Sequence, residues 1–166
     1  MLDLPLITRA GTQEASSVRE YLSFTLGSVD YGIDILTVQE IRSFTSPTRI
    51  AHSPVEVLGV MNLRGVVVPI VDLRLKLDCA NAEYNLSTVV IVLNLGTKVV
   101  GVVADSVSDV VRLEPGEVLP APDVHTGHGE GFITGMATVG ERMLILVDAE
   151  SLLCGAESAS PTQALV

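Results

Sequence analysis

Gly59-Val60-Met61-Asn62-Leu63-Arg64-Gly65-Val66-Val67-Val68-Pro69-Ile70-Val71-Asp72-Leu73 is the stretch that decides the fold. Two apolar runs flank Arg64-Gly65, and Gly65 stands where a tight hairpin asks for φ > 0, which glycine adopts without a Cβ penalty. Val66-Val67-Val68 is β-branched, stiff at χ1 and suited to a pleated sheet. Pro69 has no N–H for a ladder, which puts this strand at an edge or at a bulge. Asp72 is placed as the N-cap of a short helix over Leu73-Arg74-Leu75-Lys76-Leu77. Arg64 is a charge on a turn between apolar strands. Either it meets a partner or it keeps the tip wet.

The same grammar extends outward. Tyr21 to Leu26 alternates, with Leu22, Phe24 and Leu26 on one face; Gly27-Ser28 turns, and Val29, Tyr31, Ile33 and Ile35 alternate in a return strand. Thr37-Val38-Gln39-Glu40 matches a capping box and predicts a short helix to Ile41 or Arg42. Thr88–Leu95 and Val99–Ala104, joined by Gly96-Thr97, are apolar on both faces and ask for burial on both sides. Val107 to Leu113 is a strand, or a short helix and a strand. The prolines at 115, 120 and 122 make 114–123 a loop. Phe132–Thr138 and Arg142–Val147 form a last hairpin, and Asp148 caps a final helix through Leu153. Residues 1–19 read as an arm, 20–154 as the folded domain and 155–166 as a disordered tail.

Two halves, about 21–77 and 87–153, echo each other. Leu26-Gly27 and Gly32 recur 69 residues on as Leu95-Gly96 and Gly101. At that shift Val38-Gln39-Glu40-Ile41 meets Val107-Ser108-Asp109-Val110; at a shift of 76, Gly59 meets Gly135 and Val71-Asp72 meets Val147-Asp148. A duplicated unit of short strands with one closing helix is most easily a small barrel, because closure removes exposed edges. The expectation is therefore a mainly β protein of two small five-stranded, SH3-like barrels side by side, with short helices and a groove between lobes.

Composition narrows the function. A net charge of −10 with no run of Lys or Arg argues against nucleic acid and anionic lipid, which need a basic patch. With three Phe, three Tyr and no Trp, the core is aliphatic and stacking platforms for bases are scarce. No apolar stretch approaches the roughly 18 residues of a membrane span, and the first twenty residues lack a signal-peptide pattern. Cys79 and Cys154 read as two free thiols in a reducing cytoplasm. No GxSxG, P-loop, dinucleotide fingerprint or HExxH is present. His125-x-x-His128 with Glu130 is two ligands on a loop, short of a metal site, so no metal or cofactor is expected. Glu40 is either the reciprocal partner in the capping box or an ion-pair partner for Arg64. Ile35, Val38, Ile41 and Leu63 are plain core, or an apolar patch of the kind that binds protein.

Val60-Met61-Asn62-Leu63-Arg64-Gly65 with its Val-rich strand and Pro-Ile-Val-Asp-Leu, Tyr31-Gly32-Ile33-Asp34-Ile35, and Val38-Gln39-Glu40-Ile41-Arg42 together resemble the CheW family of bacterial chemotaxis coupling proteins, over about Tyr21 to Leu153. The resemblance implies a non-enzymatic adaptor of two five-stranded barrels. Such an adaptor bridges the cytoplasmic tips of chemoreceptors (methyl-accepting chemotaxis proteins) to the regulatory domain of the histidine kinase CheA. It is cytoplasmic and recruited to membrane-associated receptor arrays. Carried onto this chain, the receptor-side positions are Val38, Glu40, Gly59, Arg64, Val89, Gly101 and Val110, with Ile35, Ile41, Asn62 and Leu63 as groove neighbours. The alternative is a small-barrel protein-binding module of another signalling complex.

Overall fold

The computed structural model describes residues 18–77, 83–121 and 132–153. Its strands are β1 (Arg19–Leu26), β2 (Val29–Asp34), β3 (Val38–Ser43), β4 (Val57–Leu63), β5 (Val66–Asp72), β6 (Val89–Asn94), β7 (Val99–Ala104), β8 (Ser106–Leu113), β9 (Ile133–Val139) and β10 (Arg142–Val147). Helix α1 (Leu73–Lys76) follows β5, and a second helical turn, α2 (149–153), follows β10. The strands form two mixed five-stranded sheets, ordered β8-β1-β2-β10-β9 and β3-β6-β7-β5-β4. In each, one parallel contact (β10 with β2, β5 with β7) joins antiparallel hairpins.

The mainly β class, the strand count and the two five-stranded units are as expected; which strands make up each unit is not. Neither sheet belongs to one half of the chain. The hairpin β1–β2 lies in the sheet completed by β8, β9 and β10, while β6–β7 completes the sheet of β3, β4 and β5. The halves have exchanged hairpins. Among the described residues no ladder joins β8 to β9 or β3 to β4, but the chain beyond β3 and beyond β8 returns to the far edge of its own sheet, Thr48 bridging Val60 and Leu119 bridging Met136, which fits the two small five-stranded units expected.

The duplication reaches individual residues. Ile41 pairs with Ile91, and 69 residues away Val110 pairs with Leu22. Val71 pairs with Val102 as Val147 pairs with Ile33. The bulge between Val57 and Gly59 recurs between Ile133 and Gly135. A Cβ on Gly59 would lie 2.0 Å from the Thr48 carbonyl oxygen, and one on Gly135 would lie 2.7 Å from Val118 Cγ1, so a side chain is excluded at both.

Three apolar clusters follow from the two faces of each sheet. The largest lies between the sheets, with Leu22, Phe24 and Ile33 of one packed with Ile91, Leu93 and Val102 of the other under Leu73 and Leu152. A second lies on the opposite face of the β3-to-β4 sheet (Val68, Ile70, Val90, Val92, Val103), and a third beside β8, β9 and β10 (Leu113, Ala137, Leu144, Leu146). β6 and β7 contribute alternate residues to the first two clusters, which accounts for their apolar character on both faces.

Two local expectations change, and one left open is decided. Thr37–Arg42 is not a helix: Ile35–Thr37 is a single 3-10 turn and β3 follows. The turn is capped by Asp34, whose carboxylate accepts the Leu36 amide and whose carbonyl accepts the Thr37 hydroxyl. The capping-box pattern is local, and the β3–β6 ladder over β-branched Val38 and Ile41 outweighs it. The strand carrying Pro69 is interior, between β7 and β4; its ladder to β7 begins only at Ile70, so no β7 bond is lost at Pro69. Val107–Leu113 lies wholly within strand β8. The arm up to residue 17, Cys79, the His125/His128/Glu130 loop, Cys154 and the tail lie outside the described residues.

Candidate functional site

Arg64 and Gly65 form a two-residue turn in which both have positive φ, 54° and 89°. Glycine meets that geometry freely; arginine does so against its Cβ. The Asn62 side-chain oxygen accepts the Gly65 amide at 2.8 Å and holds the turn. From this turn Arg64 reaches back to β3 and grips Glu40 with two bonds, Nη1 to Oε2 at 2.6 Å and Nη2 to Oε1 at 3.2 Å. Arg42 approaches the same carboxylate at 3.5 Å. The Arg64 hydrogen bond, with the charges of Arg64 and Arg42 behind it, holds the Glu40 carboxyl below the usual glutamate range. Glu40 in turn raises Arg64. The Arg64 side chain is 70% exposed and Glu40 only 19%, so the glutamate is a seat and the guanidinium faces outward.

The β-sheet register orders several other candidate positions. Glu40, Val92, Gly101, Ile70 and Gly59 lie opposite one another across all five strands of the β3-to-β4 sheet. Gly59 and Gly101 are buried in that row. A Cβ on Gly101 would meet Ile70 Cδ1 at 2.7 Å, so both glycines shape the sheet and neither presents a side chain. Val38, Val89 and Ile35 are half-buried against the central cluster. Ile41 is exposed on β3, Leu63 is buried in the outer cluster, and Asn62 is exposed. Val110 is exposed on β8, in the other sheet. The candidate set therefore spans both sheets, with its charged pair on one.

A second polar constellation escaped the sequence reading. Arg74 is 1% exposed and Asp72 is fully buried. Arg74 donates from Nε and Nη2 to the two oxygens of Asp72, each at 3.0 Å, and from Nη1 to Asp105 and to the Glu83 carbonyl, each at 2.6 Å. Asp105 spends its other oxygen on the Gly27 amide, in the turn of β1–β2. Tyr84 donates its hydroxyl to Asp72 at 2.6 Å; burial and the Asp72 bond push its phenol up to about 12. The Tyr84 ring stacks on Phe44, with centroids 4.6 Å apart, and lies under the Arg74 guanidinium. This network ties the β3-to-β4 sheet to a turn of the other sheet. Its sequence signal was an arginine two residues after a helix-capping aspartate, in a closing turn where leucines alternate with Arg74 and Lys76.

Among the described residues no group of three or more His, Cys, Asp or Glu is arranged to hold a metal, and no helix is long and apolar enough to cross a membrane. The site is a surface with a fixed arginine on it. That, on two interlocked sheets, defines a binding scaffold.

Comparisons with known proteins agree. The CheW-like domain family matches residues 20–157. The chain is 52% identical to the chemotaxis protein CheW of Klebsiella aerogenes over 141 residues, 85% of each chain. It is 35% identical to that of Rhizobium meliloti, over 88% of this chain and 94% of the other. The crystal structure of the scaffolding protein TtCheW from Thermoanaerobacter tengcongensis superposes with a TM-score of 0.72 at 26% identity, covering 78% of this chain and 88% of that one. The chain belongs to the CheW family of non-enzymatic chemotaxis scaffold and coupling proteins.

Proposed function

We propose that this chain couples the cytoplasmic tips of chemoreceptors to the regulatory domain of the histidine kinase CheA, in the cytoplasm at membrane-associated receptor arrays. Arg64 is the receptor anchor. The observation that carries this is the arginine's cost and its preparation: the turn keeps an arginine where glycine would be unstrained, and Glu40 holds it in one orientation while leaving it exposed. Backbone strain of this kind persists where the side chain is used. Two donors engage Glu40, and the rest of the guanidinium fork remains for a partner's carboxylate or carbonyl. Val38, Ile41, Val89 and Val110 supply apolar contact for an amphipathic receptor helix. Gly59 and Gly101 act by letting the sheet pack closely. Control of the kinase then requires the docked receptor to favour one kinase state through differential affinity.

Calorimetric titration of wild type and Arg64→Glu against a purified receptor tip and a purified CheA regulatory domain tests this. The wild type should bind both. Arg64→Glu should keep its circular dichroism spectrum and its kinase affinity while binding the receptor at least roughly tenfold more weakly. No binding by the wild type to either partner would sink the adaptor reading. Equal weakening towards both would remove Arg64 from the receptor face.

A further inference from the structure

Beside the Arg64–Glu40 pair stands a second arginine, Arg42, that none of the candidate positions includes. β3 runs without a register shift from Glu40 to Arg42, with Glu40 opposite Val92 and Arg42 opposite Val90. Two residues apart on a strand, their side chains leave the same face, roughly 7 Å apart along it. Arg42 Nη1 donates to Glu40 Oε1 at 3.5 Å, the oxygen that also accepts Arg64 Nη2. The Arg42 and Arg64 side chains are 41% and 70% exposed, and the carboxylate they share is 19% exposed. The two cations stand outward and the anion lies beneath them.

The framework does not require this arginine. At the equivalent position, 69 residues on, Val111 pairs with Tyr21 as Arg42 pairs with Val90, and it packs against the third apolar cluster. The acid of the trio is kept in that lobe as Asp109, while both cations are replaced, Arg42 by Val111 and Arg64 by Gly140. Stability does not account for Arg42 either, since one exposed contact of that length contributes little. What Arg42 changes is the charge of the site. Arg64 and Glu40 alone form a closed ion pair with no net charge, on a chain that carries −10 and so repels an approaching acid. With Arg42, two cations share one anion, and the charges of both act on Glu40. A surplus positive charge is left at the surface. Such a surplus attracts a charged group over a distance and leaves a neutral carbonyl almost unaffected.

We propose that Arg42 is the specificity residue of this anchor: with Arg64 it forms a two-arginine clamp, seated on Glu40, that selects a carboxylate on the docking receptor helix over a neutral group. This deepens the receptor reading of Arg64 and rests on it.

The test is a double-mutant cycle read by calorimetry. Wild type, Arg42→Gln and Arg42→Lys are titrated with a purified receptor tip, and then with tips in which each Asp or Glu is replaced in turn by its amide. Arg42→Gln should bind the unaltered tip roughly three- to tenfold more weakly than wild type, with an affinity less sensitive to salt. Arg42→Lys, which keeps the charge, should recover most of that loss. One amide replacement should weaken wild type, and weaken Arg42→Gln by a smaller factor, which identifies the carboxylate. Circular dichroism and kinase affinity should be the same for all three proteins; a lost spectrum for both variants would make Arg42 structural and overturn the proposal. Undiminished receptor binding by Arg42→Gln, a loss that Arg42→Lys does not recover, or the failure of every amide replacement to couple with Arg42 overturns this inference and leaves docking at Arg64 standing. No binding by wild type removes the receptor reading itself, and this inference with it.

Discussion

The hairpin β4–β5 with α1 and the hairpin β9–β10 with α2 are two versions of one unit, and they differ where the backbone does not need them alike. Both have the bulge, the buried glycine and the capping aspartate, Asp72 or Asp148. Gly140 stands where the first has Arg64, Glu150 where it has Arg74, and Asp109 lies across the sheet where it has Glu40. Shared positions are those that the pleat, the turn and the close approach of chains require. Unshared ones serve purposes particular to one lobe. In the first unit these are an arginine facing outward on a strained turn and an arginine buried as a lock between sheets.

The sharpest way to break the comparison is at the lock. Arg74→Met leaves Asp72 buried without its cation and should cost about 3–5 kcal/mol in urea unfolding. Glu150→Met, exposed in the second unit, should stay within about 0.5 kcal/mol. Equal losses would mean that the lock is no more than helix packing. Next come the paired glycines. Gly59→Ala meets a backbone carbonyl and a left-handed φ of 148°, which alone costs about 1–3 kcal/mol. Gly135→Ala meets a valine methyl first and should unfold at a higher urea concentration than Gly59→Ala.

Smaller effects sharpen the picture. Tyr84→Phe removes one hydrogen bond to Asp72 and should cost about 1 kcal/mol. Because the folded phenol is raised to about 12, the protonated form is the one the fold favours. Its contribution is complete below the ordinary tyrosine pKa near 10 and is lost as pH climbs towards 12, so wild type should lose stability over that window by a margin that Tyr84→Phe lacks. The smallest effect lies at Glu40. Its lowered pKa keeps the pair with Arg64 intact at neutral pH and releases it only as pH falls below the usual glutamate range. Carboxyl-carbon NMR should show Glu40 titrating below an ordinary glutamate, and Arg64→Ala should move it upward with little change in stability. An unmoved titration would show that Arg42 alone holds the carboxylate.

Much of this was legible in the chain. Turns at Gly27, Gly65 and Gly96, the caps at Asp72 and Asp148, and the alternation of β1 are local signals, and they were readable because local chemistry decides them. The Glu40–Arg64 pair was readable as a possibility, although β3 and not a helix delivers it. Thr37–Glu40 misled because its capping pattern competes with a ladder to β6, which lies some fifty residues away in sequence. The exchange of hairpins left no local trace: the repeat specifies what each unit contains, while pairing across halves depends on which apolar faces meet. Arg74 was hidden for the same reason, since Asp105 and Gly27 approach it only after that exchange.

The exchange also sets a timetable for synthesis. Leu22 and Ile33 leave the ribosome well before their partners, Val110 and Val147. At about 5–20 residues per second, Ile33 waits roughly 5–25 s for Val147. The β3-to-β4 sheet has all its strands once β7 emerges, whereas the first hairpin made belongs to the last sheet completed. For that interval the apolar face of Leu22, Phe24 and Leu26 can be covered by β6 and β7, but the edge of β2 has no native partner until β10 is made. A nascent chain of this design therefore carries an open strand edge until β10 arrives, and a stall before β10 would leave that edge to pair with another chain.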